Sequence, residues 1–218
     1  MTAIRFPVTD HQGRLIPPGA TRHVLEWDAL SPLPAWIARE GGTLTVQTAD
    51  AGRPGLRLAP PGSGMYVHIG GPVDRDGLVA ARLDVMGVRS LGGTASRNLY
   101  LRLDDNPPTD GAVLNVTSVP GIPAKFMTRT GGSATVWTDT THDWNTPSGT
   151  GGIFQGARIG LMLDLDHGAA WAMEGDEPTG YVDVAAARTG TLKPRLQYTS
   201  TDESHLAIGG IRLELWYD

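Results

Sequence analysis

The 218-residue chain contains no cysteine. Disulfide bonds, thiolate metal sites and thiol nucleophiles are therefore excluded, and cysteine usage gives no information on redox compartment. Stability must come from packing instead. A chain of this length buries roughly two-thirds to three-quarters of its unfolded surface when it folds as one domain, so it needs no covalent cross-links.

Lysine, clustered positive charge and long apolar runs are also scarce. Only two of the 18 basic residues are lysines, the arginines are scattered, and the formal net charge is −5. Such a surface offers nucleic acid little to bind, so we expect no nucleic-acid partner. The longest apolar stretches are far shorter than the ~20 residues of a membrane-spanning helix, so we expect no membrane insertion. Charge and proline interrupt residues 1–19, where a secretion signal needs a continuous apolar core.

Glycine and proline are abundant, at 29 and 16 residues, and leave few stretches long enough for a helix. Short segments with alternating or β-rich composition recur between them. A dozen such segments at regular spacing predict an all-β, antiparallel sandwich or barrel. They are residues 43–48, 56–58, 66–69, 77–85, 98–103, 112–116, 125–129, 134–138, 158–164, 170–173, 194–198 and 205–217.

Residues 77–85 show the clearest alternation. Four apolar side chains are predicted on one face, namely Val79, Ala81, Leu83 and Val85. Arg82 and Asp84 are predicted on the opposite face, which is the pattern of a half-buried strand.

Residues 166–168, Asp-His-Gly, separate two apolar runs and predict a hairpin turn. Asp166 is expected as the first turn residue, with its side chain accepting a local backbone hydrogen bond.

Residues 1–24 differ from the rest of the chain because prolines and a glycine divide them into pieces too short to bury much surface. We predict an N-terminal arm or linker over residues 1–24 and one β-sandwich domain over residues 25–218.

Two C-terminal segments, residues 158–166 (RIGLMLDLD) and residues 206–216 (LAIGGIRLELW), resemble the concanavalin A-like lectin/glucanase superfamily. Residues 30–36, followed by Glu40-Gly41-Gly42, are similar to the first-strand region of such domains in tail proteins of phages of GC-rich bacteria. The resemblance implies an antiparallel, two-sheet jelly-roll sandwich whose concave face or rim loops often bind carbohydrate. Members include hydrolases, adhesion modules and structural domains, so the fold does not choose among these functions.

Retaining glucanases of this superfamily carry Glu-x-Asp-x-x-Glu on one strand, because alternate residues face the same cleft and hydrolysis needs two carboxylates ~5 Å apart. The chain has no such match, and its nearest run, Asp164-Leu165-Asp166, lacks the following glutamate. Asp164 and Asp166, or Asp104 and Asp105 ahead of Asn106, could offer oxygens to calcium, but hydrated surface carboxylates explain them more simply. The six histidines lack zinc-site spacing. We expect no catalytic residue, metal site or cofactor.

One loop, residues 137–152, has the composition of a sugar site. It leaves a predicted strand, stays polar for a dozen residues and carries Trp144 in its middle. An aromatic face covers the C–H side of a pyranose, while Asp139, Asp143 and Asn145 are suited to bind its hydroxyls. The alternative is that Trp144 folds back onto the edge of the sandwich. The tryptophans expected in the core or on a sheet face are Trp27, Trp36, Trp171 and Trp216.

These observations favour a non-catalytic phage virion protein, a tail or other surface component. It would assemble with other virion subunits as a homo-oligomer, with a host cell-surface glycan as its expected ligand. One alternative is a polysaccharide-degrading glycoside hydrolase with carboxylates from separate strands. Another is a purely structural capsid decoration protein. An enzyme should show two facing carboxylates in a cleft, a lectin an accessible aromatic with polar neighbours, and a structural protein neither.

Overall fold

In the computed structural model, the chain is described over a set of ranges that consist of strands, turns and short connections. These ranges are residues 20–40, 43–48, 54–59, 65–91, 97–105, 110–117, 124–130, 133–139, 145–146, 153–154, 158–166, 168–184, 190–200 and 205–218. Within them, no helix is long and apolar enough to cross a membrane.

Twenty strands are assigned in these ranges. The first ten are β1 (Thr21–Asp28), β2 (Ile37–Glu40), β3 (Thr43–Thr48), β4 (Pro54–Ala59), β5 (Met65–Ile69), β6 (Val73–Asp74), β7 (Leu78–Met86), β8 (Arg89–Leu91), β9 (Arg97–Asp104) and β10 (Gly111–Thr117). The others are β11 (Lys125–Thr130), β12 (Ser133–Asp139), β13 (Asn145–Thr146), β14 (Ile153–Phe154), β15 (Ile159–Asp164), β16 (Ala169–Glu174), β17 (Glu177–Asp183), β18 (Thr191–Ser200), β19 (His205–Ile208) and β20 (Gly210–Tyr217).

Two antiparallel sheets form the body of the domain. The six-stranded sheet has the order β1-β20-β7-β15-β16-β17. The eight-stranded sheet, called here the large sheet, has the order β12-β11-β10-β9-β18-β5-β2, and β6 pairs with β18 off this path. A smaller sheet, β3-β4-β19-β8, and the pair β13-β14 complete the assigned strands. The predicted all-β, antiparallel sandwich is therefore confirmed.

The main core lies between the two large layers, where β7 and β15 contact β9. Alternate residues of each central strand point into it because side chains of a strand alternate between its two faces. The six-stranded sheet contributes Leu83, Val85, Leu161, Ile211 and Leu213 to this core. The large sheet contributes Val67, Leu99, Leu101, Leu114, Leu196 and Tyr198.

The boundaries of two predicted segments differ from the observed strands. The segment 205–217 is not one strand, because Gly209 separates β19, in the small sheet, from β20, in the six-stranded sheet. At the other end of the chain, β1 begins at Thr21 and so includes residues 21–24 of the predicted arm. Residues 1–19 lie outside the described residues, and an arm over them stays a prediction.

The predicted hairpin turn connects β15 and β16. Gly168 has a φ of 61°, a conformation that favours glycine. The Asp166 N–H donates to Asp164 Oδ1 at 2.9 Å, and the acceptor role expected of the Asp166 side chain stays a prediction. The side chain of the last strand residue thus stabilises the turn.

The prediction for β7 was wrong in one detail of its alternation. A β-bulge places Trp216 opposite Ala80 and Tyr217 opposite Leu78, so Val79 has no partner in β20. The extra residue shifts the alternation by one. Val79 therefore packs on the outer face of the six-stranded sheet, in a buried apolar cluster with Trp171 and Trp216. Ala81, Leu83 and Val85 remain in the main core.

Three of the four tryptophans expected in the core or on a sheet face, Trp27, Trp171 and Trp216, are buried. Trp36 is partly buried and packs against the main core. Their expected placement is confirmed.

Strand β7 is not half-buried as predicted, because Arg82 and Asp84 are buried as well as its apolar residues. Asp84 Oδ1 accepts a hydrogen bond from Arg82 Nε at 3.0 Å, and Asp84 Oδ2 accepts one from Arg158 Nη2 at 2.9 Å. Arg82 also donates to the carboxylate of Asp176 at 2.9 Å. The residue opposite Asp84 on β15 is Gly160, and a Cβ there would lie 2.3 Å from Asp84 Oδ1. Glycine is thus required to make room for the carboxylate.

We predict that Gly160→Ala lowers the free energy of unfolding by about 1 to 3 kcal/mol, because the added methyl overlaps a buried side chain. In an Asp84→Ala background the same change should cost less, because the overlapping oxygen is gone. Urea unfolding of the wild type, both single variants and the double variant measures this coupling. An equal cost of Gly160→Ala in both backgrounds would contradict the steric explanation.

A second prediction concerns pH. Burial raises the pKa of the Asp84 carboxyl above its ordinary value of 3.8, and the charges of Arg82 and Arg158 oppose this rise. The folded state therefore binds this proton more tightly than the unfolded chain does. The stabilising contribution of Asp84 is complete below pH 3.8 and decreases as the pH rises through the folded-state pKa.

Urea unfolding of the wild type and of Asp84→Asn over a series of pH values tests this sign. The stability of the wild type relative to the variant should decrease as the pH rises above the ordinary pKa of an aspartate. A relative stability that instead increases with pH would show that the two arginines outweigh burial.

Candidate functional site

The outer face of the large sheet, turned away from the core, carries a continuous row of polar and aromatic side chains. Strand register aligns Asn115 of β10 with Tyr100 of β9, Tyr100 with Gln197 of β18, Gln197 with Tyr66 of β5, and Tyr66 with Glu40 of β2. We call these five residues the polar row. Glu40 is exposed and the other four are half-buried. Their neighbours along each strand face the core, so alternation alone directs these five side chains outward.

A buried ion cluster lies beside the polar row on the same face. Asp104 Oδ2 accepts hydrogen bonds from Arg102 Nη2 at 2.6 Å and from Arg102 Nε at 3.1 Å. Asp104 Oδ1 accepts one from Arg195 Nη2 at 2.6 Å. All three residues are buried, and Asp104 is fully so. The expectation of a hydrated surface carboxylate at Asp104 was therefore wrong, because two guanidinium groups replace its water.

Gly111 faces Asp104 across the β9–β10 ladder and has a φ of 121°. A Cβ at this position would lie 2.3 Å from the backbone oxygen of Leu103. The hairpin therefore requires glycine at the point where it passes the buried carboxylate.

The ion cluster holds two members of the polar row in place. Arg102 Nη1 donates to Gln197 Oε1 at 2.7 Å. The guanidinium carbons of Arg102 and Arg195 lie 6.0 and 5.7 Å from the centre of the Tyr66 ring, which is the distance of a cation–π interaction. With its oxygen engaged, Gln197 presents its amide N–H groups as donors.

Asn115 provides the complementary group. Its Oδ1 atom is buried, and no hydrogen-bond donor among the described residues reaches it. Most buried polar atoms of folded proteins have a partner, so an unpaired acceptor beside an aromatic side chain indicates a position for a ligand donor.

The two edges of the polar row differ. At the β2 edge, His68 Nε2 and Glu40 Oε2 are 3.0 Å apart. At the other edge, Lys125 of β11 aligns with Asn115 and with Asp139, the last residue of β12. The loop predicted from the sequence to bind sugar therefore leaves the sheet from β12, two strands beyond the end of the polar row and in the same register.

The structure describes the predicted loop residues only in part. Asp139 ends β12, and Asn145 lies in β13, which pairs with β14. Their side chains, and all of Asp143 and Trp144, lie outside the described residues. The sugar-binding role of these four residues stays a prediction.

Carboxylates on this face are far apart. Glu40 and Asp104 stand on β2 and β9, which are separated by β5 and β18. Three strand spacings of ~4.8 Å place them at least ~14 Å apart, whereas retaining and inverting glycosidases need separations of ~5 Å and ~6.5 to 9.5 Å. Asp164 and Asp166 lie on the other sheet, at the β15–β16 turn. The described residues contain no group of three or more potential metal ligands.

Three short sequence patterns correspond to the polar row, but alternation alone does not show that they form one surface. Tyr66-x-His68, Tyr100-x-Arg102 and Arg195-x-Gln197 each place two polar or aromatic residues on the outward side of a strand. Each pair is unremarkable by itself. Only the sheet order, which brings β5, β18 and β9 side by side, assembles them into one surface.

No protein-family model and no curated protein matches the chain. Solved structures do. The carbohydrate recognition domain of Emp47p matches with a TM-score of 0.55 and 10% identity over 85% of this chain and 92% of that one. The potassium-bound Emp46p carbohydrate recognition domain matches with a TM-score of 0.54 and 10% identity, over 82% and 88% of the two chains. A legume lectin-like domain from Entamoeba histolytica matches with a TM-score of 0.53 and 9% identity, over 81% and 88%. The chain thus has the concanavalin A-like fold of these lectin domains.

Proposed function

We propose that the chain is a non-catalytic carbohydrate-binding domain and that its glycan lies along the polar row. The observation that carries this proposal is the alternation of two tyrosines with two amides, Tyr66, Gln197, Tyr100 and Asn115, across four adjacent strands. Aromatic faces pack against the C–H groups of a pyranose, and amides pair with its hydroxyl groups. The lectin fold shared with carbohydrate recognition domains supports the same function.

The geometry suits an extended oligosaccharide better than a single sugar. From β10 to β2 the row crosses four strand spacings, or ~19 Å. A sugar hydroxyl both donates and accepts, so one ligand satisfies the unpaired Asn115 oxygen and accepts from the Gln197 amide. The ion cluster has already fixed Gln197 and Tyr66, which reduces the entropy lost when a ligand binds.

The loop over residues 137–152 extends this site beyond the sheet edge in our proposal. Trp144 would add a third aromatic platform, with Asp139, Asp143 and Asn145 as hydroxyl partners. The position of Asp139 on β12, in the register of the polar row, supports this arrangement.

The wider setting we propose is the surface of a bacteriophage particle, in a tail or related component. There the domain would assemble as a homo-oligomer with other virion subunits and attach to a host cell-surface glycan. The similarity of residues 30–42 to domains of phage tail proteins supports this setting. The N-terminal arm predicted from the sequence agrees with it, because virion proteins commonly contact neighbouring subunits with such segments.

Asn115→Ala provides a test with two readouts. The variant removes an unpaired buried acceptor, so the free energy of unfolding should stay equal or increase. Glycan affinity should fall by roughly five- to a hundredfold, since a lost hydrogen bond is worth ~1 to 3 kcal/mol. A glycan array identifies the ligand, and titration calorimetry with urea unfolding measures both effects.

Tyr181→Ala is the matched control, because Tyr181 is exposed on a strand of the six-stranded sheet. It should leave glycan affinity unchanged. Binding that survives Asn115→Ala but is lost in Tyr181→Ala would place the site on the other sheet. A chain that binds no glycan on the array would favour the purely structural alternative.

We further predict that the domain releases no reducing ends from cell-wall or storage polysaccharides, because Glu40 and Asp104 on the outer face are too far apart to cooperate. A reducing-sugar assay on the polysaccharides it binds tests this. Release that disappears in Glu40→Gln would identify a glycoside hydrolase instead.

A further inference from the structure

Both lysines of the chain lie on the outer face of the large sheet. Lys125 of β11 aligns with Asn115, and Lys193 of β18 aligns with Asp104. The chain has no other lysine among its 218 residues. The only two lysines of this acidic protein therefore lie on the same sheet face as the polar row.

The charge of this face is opposite to that of the whole chain. Its described charged side chains are four cations and three anions, a balance of +1, and they are Arg102, Lys125, Lys193, Arg195, Glu40, Asp74 and Asp104. The chain as a whole carries −5, so its described outer face has a local excess of the opposite sign, which attracts an anion.

Two of the cationic side chains, Arg102 and Arg195, are buried. Arg102 and Arg195 share the single carboxylate of Asp104, which leaves this buried cluster with one positive charge in excess. The Nε atom of Arg195 is buried and has no hydrogen-bond partner among the described residues. Water screens buried charge poorly, so the excess acts on a ligand in the neighbouring row more strongly than a surface charge would.

We infer that the glycan recognised on the polar row is an acidic polysaccharide, one whose sugars carry carboxylate or phosphate groups. This inference rests on the proposed carbohydrate-binding function and adds the charge class of the ligand. The tyrosines and amides contact the sugar rings, and the cationic side chains select the acidic substituents.

Lysine chemistry gives a test directed at this face, because both lysines lie on it. Acetylation with an N-hydroxysuccinimide ester neutralises Lys125, Lys193 and the terminal amine, whereas reductive dimethylation modifies the same amines and keeps their charge. The probes are polygalacturonate for carboxylates, a phosphomannan for phosphates, and laminarin as a neutral glycan. Mass spectrometry verifies the modification of the full chain, and titration calorimetry measures binding.

We expect the unmodified and dimethylated proteins to bind an acidic probe better than laminarin. Raising sodium chloride from about 50 to about 500 mM should weaken that binding by about tenfold or more. Acetylation should weaken it by a similar factor at low salt, and the Lys125→Gln, Lys193→Gln double variant should reproduce the loss. The better-bound acidic probe identifies the substituent as a carboxylate or a phosphate.

Two outcomes overturn the inference in different ways. If laminarin binds as well as the acidic probes, is sensitive to Asn115→Ala and is insensitive to acetylation, then the carbohydrate-binding function stands and the charge class is wrong. If none of the three polysaccharides binds but a single-stranded oligonucleotide does, then both the function and the charge class are wrong.

Discussion

A carboxylate held out of water by two arginines stands on a central strand of each sheet, and the outer faces of both sheets depend on these ion clusters. The tripeptide Arg-Leu-Asp occurs at 82–84 in β7 and at 102–104 in β9. In both cases the leucine enters the core, while the arginine and the aspartate share the outward face and bond to each other. The second arginine comes from another part of the chain, 74 residues away for Asp84 and 91 for Asp104.

This arrangement makes the ion clusters sensitive to strand pairing. A one-residue slip would turn the aspartate toward the core and move the second arginine away from it. Removing one partner of a buried ion pair costs about 3 to 5 kcal/mol, because the other charge remains buried without compensation. The glycines opposite the two carboxylates, Gly160 and Gly111, belong to the same constraint, since a Cβ at either position overlaps the neighbouring strand. The clusters therefore favour one register of each sheet over its alternatives.

Alternation in the sequence predicted the strands well and their surroundings poorly. Period-two patterns show which side chains share a face, and together with β-rich composition they identified most strands of the main core. They did not identify β1, β2 and β6, which contribute Trp27, Ile37 and Val73. They do not show what covers that face, so Arg82, Asp84 and Asp104 were interpreted as solvated. A bulge opposite Val79 likewise leaves no trace in the local pattern, because it depends on the partner strand. Gly209 is evident in the sequence. The sequence does not show that the chain crosses there from the small sheet, at β19, to the six-stranded sheet, at β20.

The candidate site was less predictable than the fold because its residues come from five strands that are distant from one another in the sequence. Tyr66 and Gln197 lie in adjacent strands although 131 positions separate them in the chain. Sequence reasoning therefore selected the loop over residues 137–152, where the required residue types occur consecutively. Within that segment β12 ends at Asp139, in the register of the polar row, so the local signal and the tertiary surface meet at one edge of the sheet.

At the polar row, the ion cluster and Asn115 have opposite effects on the stability of the free protein. The ion cluster around Asp104 stabilises the sheet and also immobilises Gln197 and Tyr66, so the same contacts serve the fold and prepare the surface for a ligand. The unpaired oxygen of Asn115 does the reverse, since a buried acceptor without a donor destabilises the free protein. A residue that weakens the unliganded fold is retained most simply when a ligand completes its hydrogen bonding. In the proposed function, the polar row thus combines preorganised donors with an acceptor that a ligand would satisfy, which would give a shallow sheet surface selectivity without a deep pocket.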